Sequence, residues 1–147
     1  MPLAALAAVF FSLNLASLKA QDLNLANQYY NNGEFEKAAS LYGQLLERDD
    51  RNDAFFNRYV ECLINLDRFE ECEKTIKKQL KKSPENVSLY VTYGNLYERM
   101  DKPEEAKAQY QRAIEKLSPD YTSVNRLASL FMTNAKYDWA TQTYERG

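Results

Sequence analysis

The stretch Asn31–Leu46, NNGEFEKAASLYGQLL, reads as a turn followed by an amphipathic helix. The chain writes it again at a spacing of 34: NLDRFEECEKTIKKQL at Asn65–Leu80, RMDKPEEAKAQYQRAI at Arg99–Ile114 and TNAKYDWATQTYERG at Thr133–Gly147. On that spacing Tyr29, Leu63, Tyr97 and Phe131 form one series, and Tyr42, Ile76, Tyr110 and Tyr144 a second. Ala38, Cys72, Ala106 and Ala140 are a series of small residues, and Phe35, Phe69, Pro103 and Tyr137 a fourth. No gap is needed anywhere between Tyr29 and Tyr144, which chance does not produce.

Within a unit the period is helical. Tyr90, Tyr93, Gly94 and Tyr97 follow the i, i+3, i+4, i+7 pattern that places residues on one helix face. MDKP then breaks the chain, with Asp101 as a candidate N-cap and Pro103 in the first turn of the next helix. Ala106, Tyr110, Ala113 and Ile114 make the apolar stripe of that helix, and Pro119 in LSPD disfavours its continuation. Each unit is therefore expected to be two antiparallel helices. Ala26 and Gly94 on first helices are expected opposite Ala38 and Ala106 on second helices, where lack of bulk lets the axes approach. Val60 at the small position should loosen that approach. A single hairpin cannot bury its apolar face alone, so neighbours must stack.

These residues resemble the tetratricopeptide repeat family. The matches are Leu25, Ala26, Tyr29, Gly33, Phe35, Ala38 and Tyr42 in the first unit, and Phe56, Tyr59, Leu63, Phe69 and Pro84 in the second. The third carries Tyr90, Tyr93, Gly94, Tyr97, Ala106, Tyr110 and Ala113, and the fourth Leu127, Ala128, Phe131, Tyr137, Ala140 and Tyr144. Asp67, Asp101 and Ala135 stand where the family's turn glycine would be, and Pro119 falls one residue late. The resemblance implies an all-α fold, a right-handed α-α superhelical solenoid of antiparallel helix pairs. Its repeats fall at 19–52, 53–86, 87–120 and 121–147, the last one partial, within a domain over residues 21–147.

Composition narrows the function. The net charge is −2 and charged residues make up 27% of the 147, so no strong field points to nucleic acid. Histidine is absent and cysteine occurs twice, which removes the commonest general base and makes a metal site improbable. No Gly-rich phosphate loop and no nucleophile–base pair can be found. Glu36, Glu70, Glu104 and Glu105 sit in first turns of second helices, where the helix dipole accounts for them. KKQLKK, Lys77–Lys82, reads as a solvated helix end. The expectation is no enzyme, no cofactor, no metal and no small-molecule substrate.

In the family, the first helices line a concave wall that takes a peptide or protein partner. The resemblance implies that role for Asn27, Tyr30, Asn31, Asn57, Arg58, Glu61 and Asn65. Asn95, Glu98, Arg99, Asn125, Arg126, Ser129 and Met132 continue the set. Asparagine is a mediocre helix former, so its recurrence suits a carboxamide ladder that hydrogen-bonds an extended backbone; the competing reading is a solvated polar face. Chaperone-binding members of the family hold a terminal carboxylate with cations and amides. Asn27 fits one such place, but Leu23, Ser88 and Thr92 occupy others, so that clamp is expected to be missing. Cys62 and Cys72 flank one turn at similar heights. They are either a disulfide, if their Cα atoms come within about 7 Å, or free core residues.

Leu3–Leu18, LAALAAVFFSLNLASL, is apolar apart from Ser12, Asn14 and Ser17. Leu18 and Ala20 suit a signal-peptidase cut after Ala20, making residues 1–20 a leader. The run is short for a membrane span of about 20 residues, and no Lys or Arg precedes it. A retained anchor and a helix packed on the fold are the alternatives. The expected function is a non-catalytic protein–protein interaction scaffold, exported to the periplasm or envelope of a gram-negative bacterium. Its rival is the docking arm of a larger enzyme or envelope transport machine. Trp139, Ala140 and Tyr144 are expected to leave a partly uncovered edge, open to self-association or to further repeats.

Overall fold

A computed structural model describes residues 20–147. Residues 1–19, and with them nearly all of the leader, lie outside the described residues. The helices are α1 (residues 20–31), α2 (Phe35–Arg48), α3 (Asp53–Asn65), α4 (Phe69–Lys82), α5 (Val87–Arg99), α6 (Pro103–Glu115), α7 (Tyr121–Thr133) and α8 (Tyr137–Arg146). Helices α3, α5 and α7 begin on the first residue of the second, third and fourth expected repeats. No strand occurs among the described residues.

Starts and stops repeat with the sequence. Asn52, Asn86 and Asp120, again 34 apart, cap α3, α5 and α7 with a side-chain oxygen on a backbone N–H at 3.0–3.1 Å. The turns after α1, α3, α5 and α7 each close with two backbone bonds. Glu34 N donates to Tyr29 O at 2.8 Å and Gly33 N to Tyr30 O at 3.0 Å, and the same pair recurs at Arg68/Asp67, Lys102/Asp101 and Lys136/Ala135. This closure requires a left-handed residue just past the helix. Gly33 takes it with φ 75°, and Asp67, Asp101 and Ala135 take it with φ 54°, 56° and 56°. Asp101 is therefore the residue that ends α5. It does not cap α6, whose N-cap is Lys102, without a side-chain bond.

The chain forms two compact units, one reaching Arg68 and the other spanning Phe69–Gly147. In the first, α1, α2 and α3 enclose Ala26, Ala38, Ala39, Tyr42, Leu45 and Cys62, with Tyr29, Phe35 and Tyr59 packed around them. In the second, α5 and α6 form one hairpin and α7 and α8 another, with α4 laid against α5. Their core joins Tyr110, Ala113, Leu127, Ala128 and Phe131. The Tyr110 ring stands edge-on to Phe131, with centroids 5.6 Å apart, and lies 5.5 Å from Trp139.

Gly94 permits close approach, but its contact is the Tyr110 ring rather than Ala106. A Cβ on Gly94 would fall 2.2 Å from Tyr110 Cε1. At the far end of the second unit Trp139 is half-buried and Tyr144 48% exposed, as the expected partly uncovered edge requires, whereas Ala140 is buried.

Candidate functional site

The expected binding residues lie on α1 and α3 in the first unit and on α5 and α7 in the second. Their asparagines do not form one ladder. Asn27 and Asn95 share a repeat position with Glu61 and Ser129; Asn57 and Asn125 share one with Leu23 and Val91; Asn31 and Asn65 share one with Arg99 and Thr133.

The first of these positions is tied to the core. Tyr42 Oη donates to Asn27 Oδ1 at 2.6 Å, and 68 residues later Tyr110 Oη donates to Asn95 Oδ1 at 2.8 Å. Both tyrosines are 1% exposed, so each hydroxyl needs a partner and finds the carboxamide of the facing helix. Asn95 Nδ2 then donates to Asn134 Oδ1 at 2.9 Å, and Asn134 Nδ2 to Leu130 O at 2.7 Å. Asn95 is therefore committed at both ends. Burial, then the charge of Glu98, pushes the Tyr110 phenol well above its ordinary range.

The remaining positions keep capacity for a partner. Asn27 Nδ2 has no partner among the described residues. Asn65 and Asn125 donate to Glu61 O and Tyr121 O of their own helices, at 2.8 and 2.9 Å, and their Oδ1 atoms accept from no group among the described residues. Asn31, Asn57, Arg99, Arg126, Ser129 and Met132 are exposed, with no side-chain bond among the described residues. Arg58 is held in place. Its guanidinium lies 4.3 Å from the Tyr30 ring centroid and donates to Glu61 Oε2 at 2.9 Å, and Tyr30 Oη donates to the same oxygen at 2.9 Å. Burial, and then the bond to Glu61, raises the Tyr30 phenol. Glu98 is paired with Lys136.

The places where a carboxylate clamp needs cations hold none. Leu23 packs on the first core, and Thr92 Oγ1 donates to Ser88 O at 3.1 Å. Cys62 and Cys72 are free and buried, and burial pushes their thiols up to about 11 and about 12. Among the described residues no group of three or more His, Cys, Asp or Glu could hold a metal ion, and no helix is long and apolar enough to cross a membrane.

Sequence reasoning missed two features. Asn134 orients Asn95, although its own repeat mates Asn32, Leu66 and Met100 carry no such role in their sequence. Glu73 of α4 accepts from Tyr93 Oη at 2.6 Å, Tyr97 Oη at 3.2 Å and Lys77 Nζ at 2.7 Å, beneath the stacked Tyr93–Tyr97 rings. The i, i+4 tyrosine pair was the available signal.

Helix hairpins at a 34-residue period, each closed by the same left-handed turn, define an all-α repeat protein. Profiles of the tetratricopeptide repeat match residues 29–82 and 87–115, more than half of the chain between them, and the chain belongs to that family. It is 26% identical to the human protein O-mannosyl-transferase TMTC2 over 95 residues, 63% of this chain and 11% of that protein. It is also 26% identical to the Saccharomyces cerevisiae Hsp70/Hsp90 co-chaperone CNS1 over 108 residues, 71% of this chain and 28% of that one. Among solved structures it is similar to the first repeat domain of Spaghetti (RPAP3) bound to an HSP90 peptide. The TM-score is 0.55 and the identity 20%, over 80% of this chain and 93% of that one. The Yersinia enterocolitica type III secretion translocator chaperone SycD gives a TM-score of 0.65 at 14% identity, over 83% and 92%.

Proposed function

We propose that the chain is a non-catalytic interaction scaffold that holds an extended segment of a partner protein against its first helices. One observation carries the reading. Three first helices, α1, α3 and α7, present amides and a guanidinium anchored on one side and open on the other: Asn27 by Tyr42, Arg58 by Tyr30 and Glu61, and Asn125 by Tyr121 O. Pre-positioned donors and acceptors lower the ordering cost of gripping a peptide backbone. The role of CNS1 as a co-chaperone and the HSP90 peptide bound to the RPAP3 repeat domain support a peptide partner. The lack of cations at Leu23, Ser88 and Thr92 argues against a terminal-carboxylate ligand. The test is site-specific photo-crosslinking from Asn57 and Asn125, with Lys107 on α6 as the comparison. Adducts from the first two positions alone support the reading, and equal or absent labelling overturns it.

A second reading has the repeats as the docking arm of a larger enzyme or envelope machine. It is favoured by the small share, 11%, that the matching region occupies in O-mannosyl-transferase TMTC2. For location we propose export to a bacterial envelope, supported by the apolar run Leu3–Leu18 and the cleavage-compatible Ala20. Intact mass of the protein from its native host tests this: a chain beginning at Gln21 agrees, and one retaining residues 1–20 does not.

A further inference from the structure

We propose that the outer face of α4 is a second docking surface, distinct from the first-helix faces, and that it takes an acidic polypeptide segment. Glu70, Glu73, Lys74, Lys77, Lys78 and Lys81 line one groove of about 480 Å³ along this helix. Their spacing of i, i+3, i+4, i+7, i+8 and i+11 is that of a single helical face. The charges on it do not cancel. Glu73 is paired with Lys77 at 2.7 Å, and the same oxygen, Oε1, accepts from the hydroxyls of Tyr93 and Tyr97. That ion pair accounts for Lys77. Lys74, Lys78 and Lys81 are exposed and have no carboxylate partner among the described residues. With a rise of 1.5 Å per residue, these three cations span about 10 Å of helix.

A solvated helix end needs cations near its last turn only, and Lys74 lies in the first half of α4. Three unpaired ammonium groups in one line fit carboxylates presented at two- to four-residue intervals by a polypeptide. Nucleic acid and anionic membrane fit less well. The chain as a whole carries −2, so the field that would gather a polyanion is missing, and among the described residues none that lines the stripe is aromatic, which leaves a base nothing to stack on there. An acidic segment of low charge density meets the lysines without that penalty.

The experiment is fluorescence anisotropy of a labelled oligo-glutamate peptide with the intact chain, at low and at high salt. Saturable binding that weakens with salt is expected, falling about fivefold in the K74Q/K78Q/K81Q variant as three exposed ion pairs are lost. The K74R/K78R/K81R variant keeps the charge and should bind like the parent, with circular dichroism of both variants unchanged. No binding, or equal binding by the glutamine variant, overturns the proposal. Tighter, equally lysine-dependent binding to duplex DNA or to phosphatidylserine vesicles overturns the choice of partner. Peptide binding at the first-helix faces should not respond to these lysines, so failure of the two readings can be told apart.

Discussion

Replacing Gly94 with Ala should destabilise the second unit, although alanine is the better helix former. In an unencumbered helix interior the change is worth about 0.8–1.0 kcal/mol in favour of Ala. Here the new Cβ would stand 2.2 Å from Tyr110 Cε1, 2.6 Å from Cδ1 and 2.8 Å from Cζ. The ring cannot swing aside cheaply. Its hydroxyl is bonded to Asn95 and the ring packs edge-on with Phe131 and tilted against Trp139. Overpacking of this kind costs about 1–3 kcal/mol, and loss of the tyrosine bond adds about 1. The net expectation is a destabilisation of about 1–3 kcal/mol once the propensity gain is subtracted. Gly43 supplies the contrast. It is also helical, but its Cβ would meet only the half-buried Tyr59 ring, at 3.3 Å, so Gly43→Ala should be neutral or stabilising by up to about 1 kcal/mol. Urea unfolding followed by fluorescence measures the effect, since the one tryptophan, Trp139, lies in the same core. Adding Tyr110→Leu should remove most of the Gly94→Ala cost as a coupling energy. Equal, stabilising effects at Gly94 and Gly43 would refute the reasoning.

Asn95→Ala should cost about 1–2 kcal/mol in urea unfolding, because it removes the acceptor of Tyr110 Oη and the donor to Asn134 Oδ1; exposed Asn57→Ala should stay within about 0.5 kcal/mol. Ala135→Gly should stabilise by about 0.5 kcal/mol, the relief of a left-handed alanine at φ 56° exceeding the added chain entropy; thermal melts check this. Glu73 is held below the ordinary glutamate value of 4.5 by Lys77 and then by Tyr93. Its folded value lies under its unfolded one, so its stabilisation is complete above about pH 4.5 and disappears as pH falls through the folded value. The stability gap between the parent and Glu73→Gln, from urea curves across that range, should narrow on acidification.

The 34-residue spacing between the starts of α3, α5 and α7, at Asp53, Val87 and Tyr121, was legible because the apolar residues repeat with that period. The turns were legible in part. Aspartate suits both a cap and a left-handed turn, and Asp101 resolves only when aligned with Gly33, whose lack of Cβ marks the column as left-handed. The state of the candidate binding residues was the least legible. Residue type shows that Asn95 can hydrogen-bond, not that Tyr110 and Asn134 have already claimed it. A signal did exist: Asn27 and Asn95 each have a tyrosine 15 residues on, whereas Glu61 is followed at that distance by Ile76. Gly94 was recognised as a point of close approach, but ring orientation, invisible in sequence, decided that Tyr110 rather than Ala106 fills the space.

The central claim is that first-helix side chains with open hydrogen-bonding capacity grip a polypeptide. Peptides selected from a random display library on residues 21–147, then titrated by calorimetry against the parent and variants, test it most directly. The account predicts that Asn57→Ala and Arg126→Ala each weaken a selected peptide several-fold, about 1 kcal/mol per lost bond, while Lys107→Ala on the outward face of α6 changes nothing. Peptides whose affinity is insensitive to Asn57 and Arg126, or sensitive to Lys107 instead, would contradict it.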